Sequence, residues 1–280
     1  MDNFTNYING EWKLTSKSNV PLHDAGFLLG DGLFETIRFE NGKIFRCNKH
    51  LDRLFSSLQF IRINCDKSKN EIKLLLKNII NKNSLKNGLL RLMITRGIVK
   101  GAPWRHEGPQ GIYISIRPLT PEPQNPVKVV FFSEKNYPII RFDPAIKSLN
   151  YIGNILAKKD AEKENAFEPV FYNENEIITE CAIRNIFFIK KNNLMTPSIK
   201  LGVLPGVMRD AIISISNNLN LNVKETNITL NSINDMDEAF ISSTGIGLLP
   251  CKWDGWESNF NMTFQIKNKL NQLITNSESN

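Results

Sequence analysis

The chain has 280 residues, 41% apolar and 22% charged, enough to bury one large core or two modest ones and unlike a disordered or fibrous protein. A formal charge of +7 raises nucleic acid as a partner, but acids are interspersed among the lysines and arginines and no basic run carries interleaved aromatics. That distribution excludes a nucleic-acid binder and suits small anionic ligands; Cys47, Cys65, Cys181 and Cys251 form no CxxC pair and give no zinc spacing, so no metal is expected.

The stretch MDNFTNYINGEWK lacks the apolar region of a signal peptide, and no apolar run is long enough to cross a bilayer. With isolated cysteines, this reads as a cytoplasmic chain with reduced thiols and no membrane partner. NYINGEWK predicts a hairpin turning at Asn9-Gly10, and LFETIRFENGKIFR a second turning at Asn41-Gly42. Leu51, Leu54, Phe55 and Leu58, then Ile72, Leu75, Leu76 and Ile79, recur at helical spacing. Strand patterns follow in LLRLMIT and GIYISIRP. PLTPEPQNP carries four prolines and reads as a linker at 119–126, between a domain at 1–118 and another at 127–280. Beyond it come the strand VKVVFF, hairpins in PVFYNENEIIT and NIFFIKKNNLMTP, a helix from near Val207 and a closing amphipathic helix in FQIKNKLNQLI. The mixed order predicts two α/β or α+β domains with much antiparallel pairing.

Chemistry-bearing residues fall into several places. Lys147 lies among small and apolar residues in DPAIKSLNYIG, while Lys158 and Lys159 read as solvated positions of the helix that follows. Pro205-Gly206 runs into a helical pattern whose first free N–H groups suit a phosphate; the alternative is an ordinary turn before a helix. Ser242, Ser243 and Thr244 end a strand before two glycines, as an anion nest or a polar loop. Arg53 stands between Leu51 and Leu54, at the edge of an apolar helix face. In LFETIRF, alternation puts Phe34, Thr36 and Arg38 on one strand face and Glu35, Ile37 and Phe39 on the other. Arg38 and Arg91 are arginines inside apolar strands and need partners, whether a substrate carboxylate or structural ion pairs. Glu180 sits in apolar company between two strand patterns, as a structural cap or as the partner of a protonated ring nitrogen. Together a lysine, an acid, an arginine and two anion cradles are the parts a pyridoxal phosphate enzyme needs.

GFLLGDGLFETIR, HLDRLFSSL, IKSLNYIGNILAKKDA, ITECAIRNIFFIK and LPGVMRDAI, in that order, resemble the class IV, or fold type IV, pyridoxal-phosphate-dependent aminotransferases. That family holds branched-chain and D-amino acid aminotransferases and 4-amino-4-deoxychorismate lyases. The resemblance covers nearly the whole chain and implies a two-domain α+β or α/β fold with pyridoxal 5'-phosphate between the domains, and a homodimer. It implies that Lys147 is the catalytic Schiff-base lysine, that Tyr151 lies near the cofactor's phenolic oxygen and that Glu180 binds its ring nitrogen. Arg53, the amides of Val207 and Met208, and Thr244 match phosphate-binding positions, and Asn185 matches the asparagine of the family's N-I-F stretch. Phe34, Thr36, Arg38 and Arg91 match substrate positions. The implied reaction moves an amino group between an apolar, branched-chain type L-amino acid and a 2-oxo acid. The alternatives are release of pyruvate and 4-aminobenzoate from aminodeoxychorismate, and transamination of a D-amino acid or an amine.

Departures from the family patterns bear on the substrate. Met208 stands where many members have threonine. Thr36 replaces the glycine of F-E-G-I-R, Leu29 and Leu89 replace tyrosines, and Ser242 to Gly247 replace T-G-T-A-A-E. The F-E-T and G-V-M-R stretches lean towards the lyases, while Arg38, Arg91 and KSLNY are compatible with a transaminase. The R-x-H carboxylate trap of the D-amino acid branch is not reproduced, because Arg105 and His106 are adjacent.

Overall fold

The structure, a computed structural model, describes residues 3–276. Its contacts divide the chain into two units. The first runs to Thr120 and takes in Ile146–Asn150 and the chain end from Ile274; the second holds Pro121–Ala145 and Tyr151–Leu273.

The first unit contains strands β1 (Thr5–Ile8) and β2 (Glu11–Leu14), helix α1 (Ala25–Leu29), strands β3 (Gly32–Glu40) and β4 (Lys43–Ile44), helices α2 (Cys47–Phe60) and α3 (Lys69–Asn83), and strands β5 (Gly88–Thr95), β6 (Ile98–Val99), β7 (His106–Glu107) and β8 (Gly111–Arg117). Six strands pair in the order β2-β1-β8-β5-β3-β4, and β6 pairs with β7 alone. Both predicted hairpins form: Asn9 and Asn41 adopt positive φ, and the glycine after each does too, as a two-residue turn matched to strand twist demands. Leu33, Ile37 and Phe39 of β3 join Leu51, Leu54 and Leu58 of α2 and Ile72, Leu76 and Ile79 of α3 in one core. Each such side chain contributes about 1.5–3 kcal/mol by leaving water. Helix α3 begins with a capping box, in which Ser68 Oγ accepts from Glu71 N and the Glu71 carboxylate accepts from Ser68 N.

Residues 146–150 extend this sheet along the other half of β3's outer edge, beyond the reach of β4. Phe34 N donates to Lys147 O at 2.9 Å, Leu149 N donates to Gly32 O at 3.0 Å, and Leu33 and Ser148 form an antiparallel bridge. Ile146 packs on the first core. A Cβ at Gly32 would come within 2.8 Å of both Ile94 O on β5 and Leu149 Cδ1, so the bare backbone there lets β5 and the returning segment both lie close to it.

The second unit contains β9 (Val127–Ser133), α4 (Ile152–Lys163), β10 (Glu168–Tyr172), β11 (Ile178–Cys181), β12 (Asn185–Lys190), β13 (Asn193–Pro197), α5 (Val207–Asn218), β14 (Asn222–Thr226), β15 (Glu238–Ser243), β16 (Gly247–Lys252) and all but the last two residues of α6 (Asn261–Thr275). Its eight strands run β11-β10-β9-β16-β15-β12-β13-β14. Two parallel pairs, β9 with β10 and β13 with β14, are joined through α4 and α5 as helical crossovers. A third parallel pair sets β16 beside β9, β12 pairs with β15 antiparallel, and the hairpins β10–β11, β12–β13 and β15–β16 are antiparallel, as their short turns require. Lys158 departs from its expected place as a solvated helix position. Its Nζ stands 4.9 Å from the centroid of the Phe167 ring and donates to the Phe167 carbonyl that follows the helix. A long lysine stem can cover apolar surface while its charge finds a carbonyl, and polarity at one position does not reveal that. Lys159 is exposed.

Candidate functional site

The candidate residues fall into two sets, one in each unit. In the first unit, the neighbours of Lys147 fix its backbone. Ile146 anchors on one side of it in the core; Ser148, Leu149 and Asn150 fasten the other side to β3 and to Gly30, whose carbonyl accepts from Asn150 Nδ2 at 3.2 Å. Lys147 Nζ stands 4.4 Å from the centroid of the Phe34 ring. Arg91 stacks on the same ring with Cζ at 3.5 Å, and its Nη1 donates to Thr36 Oγ1 at 3.1 Å. The register explains the meeting: Thr36 and Phe34 on β3 lie directly opposite Arg91 and Met93 on β5. Arg38 is on the same strand face but spends its guanidinium on Glu40, two residues on, with Nε donating to Oε1 at 2.7 Å.

The other face of β3 carries Glu35, which is 1% exposed. Arg53 grips it from α2 with two bonds, Nε to Oε1 at 2.8 Å and Nη2 to Oε2 at 2.7 Å. His50, one helical turn before Arg53, is fully buried and places Nδ1 2.7 Å from Oε2. Burial by itself would push the Glu35 carboxyl up, but Arg53 and His50 outweigh it and bring it down to about 2. Burial pushes His50 below its ordinary value against the pull of Glu35, so the ring is neutral near pH 7 and its Nδ1–H donates to the carboxylate.

In the second unit, Glu180 lies within β11, where it meets two groups the sequence reading did not connect with it. Arg141 Nη1 donates to Glu180 Oε1, and Leu204 N donates to Oε2 at 3.2 Å. Arg141 also donates to Glu134 and, at 3.2 Å, to Thr179 Oγ1. Burial pulls the Arg141 guanidinium down, but Glu180 and Glu134 overcome it and the net shift is upward, so this arginine keeps its proton. Asn185 Nδ2 donates to Leu204 O at 3.0 Å. Glu180 and Asn185 thus hold the two ends of one peptide residue in the loop before α5.

Gly206 caps α5 without a side chain. A Cβ there would lie 2.1 Å from Asn185 Oδ1, so the backbone entering the helix is kept bare. Val207 and Met208 form the first turn with both side chains buried, which leaves their amides as the groups available to a ligand. Ser242 lies directly opposite Asn185 in the sheet and so shares its face; its Oγ is buried with no hydrogen-bond partner among the described residues. Thr244 follows in the turn between β15 and β16, and Tyr151 is the residue before α4. An uncapped helix start, a stranded hydroxyl and a glycine that excludes any side chain are groups that could hold a phosphate.

Among the described residues, no three His, Cys, Asp or Glu side chains gather as a metal site. Glu35, His50, Arg141 and Glu134 escaped the sequence reading. The first two carried a signal: alternation set Glu35 on a core face, where a carboxylate demands a partner, and His50 and Arg53 share a helix face. Arg141 and Glu134 carried none, since their meeting with Glu180 is long-range.

Residues 32–252 match the family model described as amino-transferase class IV. The chain is 35% identical over 252 residues to a D-alanine aminotransferase of Listeria monocytogenes, covering 87% of this chain and 85% of that one. Its fold is similar to the branched-chain amino acid aminotransferase of Escherichia coli, with a TM-score of 0.90 and 26% identity over 98% of this chain and 95% of the other. A putative 4-amino-4-deoxychorismate lyase of Legionella pneumophila gives a TM-score of 0.83 and 25% identity over 92% and 96% of the two chains.

Proposed function

This chain belongs to the class IV aminotransferases, and we propose that within that family it moves an amino group between an apolar L-amino acid and a 2-oxo acid. The family depends on pyridoxal 5'-phosphate, which when bound supplies an electron sink that tolerates negative charge on the substrate α-carbon. The residues present fit that group. Lys147 would attach it, Glu180 would bond its ring nitrogen, Tyr151 would stand near its phenolic oxygen, and Arg53, the Val207 and Met208 amides, Asn185 and Thr244 would serve its phosphate end.

The observation that carries the reading is the Phe34 ring with Lys147 Nζ and the Arg91 guanidinium both over it. Lys147 Nζ, once freed by an incoming substrate amine, would be the base that carries a proton between the substrate α-carbon and the cofactor carbon that had held the lysine. Arg91, pinned by Thr36 and Phe34, offers a fixed charge to a carboxylate, and Phe34 offers an apolar wall to the side chain. Arg38 is offset by Glu40 and adds little field for a second carboxylate, which favours apolar substrates over dicarboxylic ones. The adjacency of Arg105 and His106 supports the L-series.

Thr36 supports a second reading, the lyase. Its hydroxyl, held by Arg91 on the face that carries Phe34, fills the space a glycine would leave. A panel of L-amino acids, D-amino acids and amines separates these readings by following conversion of the cofactor from its yellow to its colourless amine form. Release of 4-aminobenzoate from aminodeoxychorismate is followed alongside. Conversion by apolar L-amino acids is expected. Conversion by D-alanine alone would reverse the stereochemistry, and aminobenzoate release with no conversion by any donor would replace transaminase with lyase. In Lys147→Ala, turnover falls by at least about 1000-fold, with no cofactor left on the protein after borohydride treatment and denaturation.

A further inference from the structure

The most fully buried set of ionisable side chains in the first unit lies beneath Arg53, and nothing in the transamination chemistry uses it directly. Glu35 and His50 are inside the core, 1% and 0% exposed. A carboxylate placed there costs stability unless it is fully bonded, and here it is: both oxygens bind the Arg53 guanidinium in parallel, and one also binds His50 Nδ1. The bidentate pair fixes the plane of the guanidinium as well as the position of its charge. Of its two ring nitrogens, His50 uses only Nδ1. Its other nitrogen, Nε2, is buried and has no partner among the described residues. A stranded acceptor in a core of leucine and isoleucine is a standing cost, and an apolar side chain at position 50 would remove it. The cost has a return only if the bond to Glu35 matters.

We propose that Glu35 and His50 are positioning residues that aim the Arg53 guanidinium at the phosphate of the cofactor. The inference rests on the reading of Arg53 as a phosphate ligand. Arginine has many side-chain rotamers, and one released from its carboxylate must be ordered again each time the phosphate binds. His50 in turn keeps Glu35 from rotating about its own side chain, so that both oxygens stay on the guanidinium edge.

The test compares binding of pyridoxal phosphate with binding of pyridoxal, which lacks the phosphate, by equilibrium dialysis of the apoenzyme. Damage to the fold lowers both affinities, whereas loss of aim at the phosphate lowers the first alone. Glu35→Gln is expected to weaken pyridoxal phosphate by roughly 10- to 100-fold, as losing an outer partner does at comparable sites, and to leave pyridoxal unchanged. His50→Leu is expected to act in the same direction, and His50→Asn to restore wild-type affinity, because the asparagine Nδ2 can replace the histidine Nδ1 donor. The Asn and Leu variants carry the test even if Glu35→Gln does not fold. Equal affinity ratios in wild type, His50→Leu and Glu35→Gln overturn the proposal. Arg53→Met is the control: if it does not lower the ratio, Arg53 is no phosphate ligand and the proposal falls with it, whereas a lowered ratio there with unchanged ratios in the other variants refutes the positioning role alone.

Discussion

Each unit holds an arginine–glutamate pair, and the two are used in opposite senses. In the first unit the glutamate is the buried partner and the arginine is the proposed ligand; Glu35 exists to hold Arg53. In the second the arginine is the partner and the glutamate the proposed ligand; Arg141 exists to hold Glu180. The surroundings of the two pairs differ. Glu35 has both oxygens committed to Arg53 and His50. Arg141 spreads its donors over Glu180, Glu134 and Thr179. Glu35 is also the more deeply buried carboxylate of the two, 1% exposed, whereas Glu180 is half-buried and accepts a backbone bond from Leu204 N as well.

The comparison is broken most severely at Glu180. Glu180→Gln removes the charge proposed for the ring nitrogen, and kcat is expected to fall by roughly 100- to 1000-fold while cofactor affinity by dialysis changes little. Arg53 variants should show the reverse, lost affinity with kcat recovered at saturating cofactor. Next comes the support of the second pair. Arg141→Met is expected to lower kcat about tenfold and, by leaving Glu180 and Glu134 facing each other uncompensated, to cost about 2–4 kcal/mol in denaturant unfolding.

The first pair is sharpened by acid. The folded pKa of Glu35 lies below its ordinary value of 4.5, at about 2, so its stabilisation is complete above pH 4.5 and lost as pH falls through about 2. The shift corresponds to about 3 kcal/mol, and the stability gap between wild type and Glu35→Gln should close by that amount over this window. His50 is shifted downward as well, so the unfolded chain takes up its proton first and a further loss begins as pH falls below 6.5. His50→Asn should remove that earlier limb and leave the later one. The smallest effect is expected at Glu40. Glu40→Gln unmasks Arg38 and should raise kcat/KM for dicarboxylic donors about fivefold relative to apolar ones; no change in that ratio would mean the Arg38 charge does not reach the substrate.

How much of this was legible in the sequence depended on distance along the chain. Both Asn-Gly hairpins, the paired helices behind them and the start of α5 are written in turn chemistry and periodicity, which are local. The alternation of LFETIRF separated the Phe34 face from the Glu35 face correctly, and the register with β5 then put Arg91 over Phe34. Ordered motifs identified the family. What stayed hidden was non-local. Four residues around Lys147 make too short a pattern to read as a strand, and their packing depends on the bare backbone of Gly32, more than a hundred residues earlier in the chain. Arg141 meets Glu180 only because the fold brings β11 to it, 39 residues along the chain. Lys158 looked solvated because a polar letter does not say where a four-carbon stem lies.

The return of Ile146–Asn150 to the first unit has a consequence for heredity. The codons for Lys147 lie inside the stretch of gene that encodes the second unit, yet the residue folds as part of the first. Neither unit can be cut from the gene as one uninterrupted block without either stranding the lysine or stripping the first sheet of its borrowed edge. Recombination that swaps one unit between relatives would therefore separate the lysine from the Phe34 and Gly32 it packs beside, unless the exchange carries four crossover points. The two halves are bound to be inherited together.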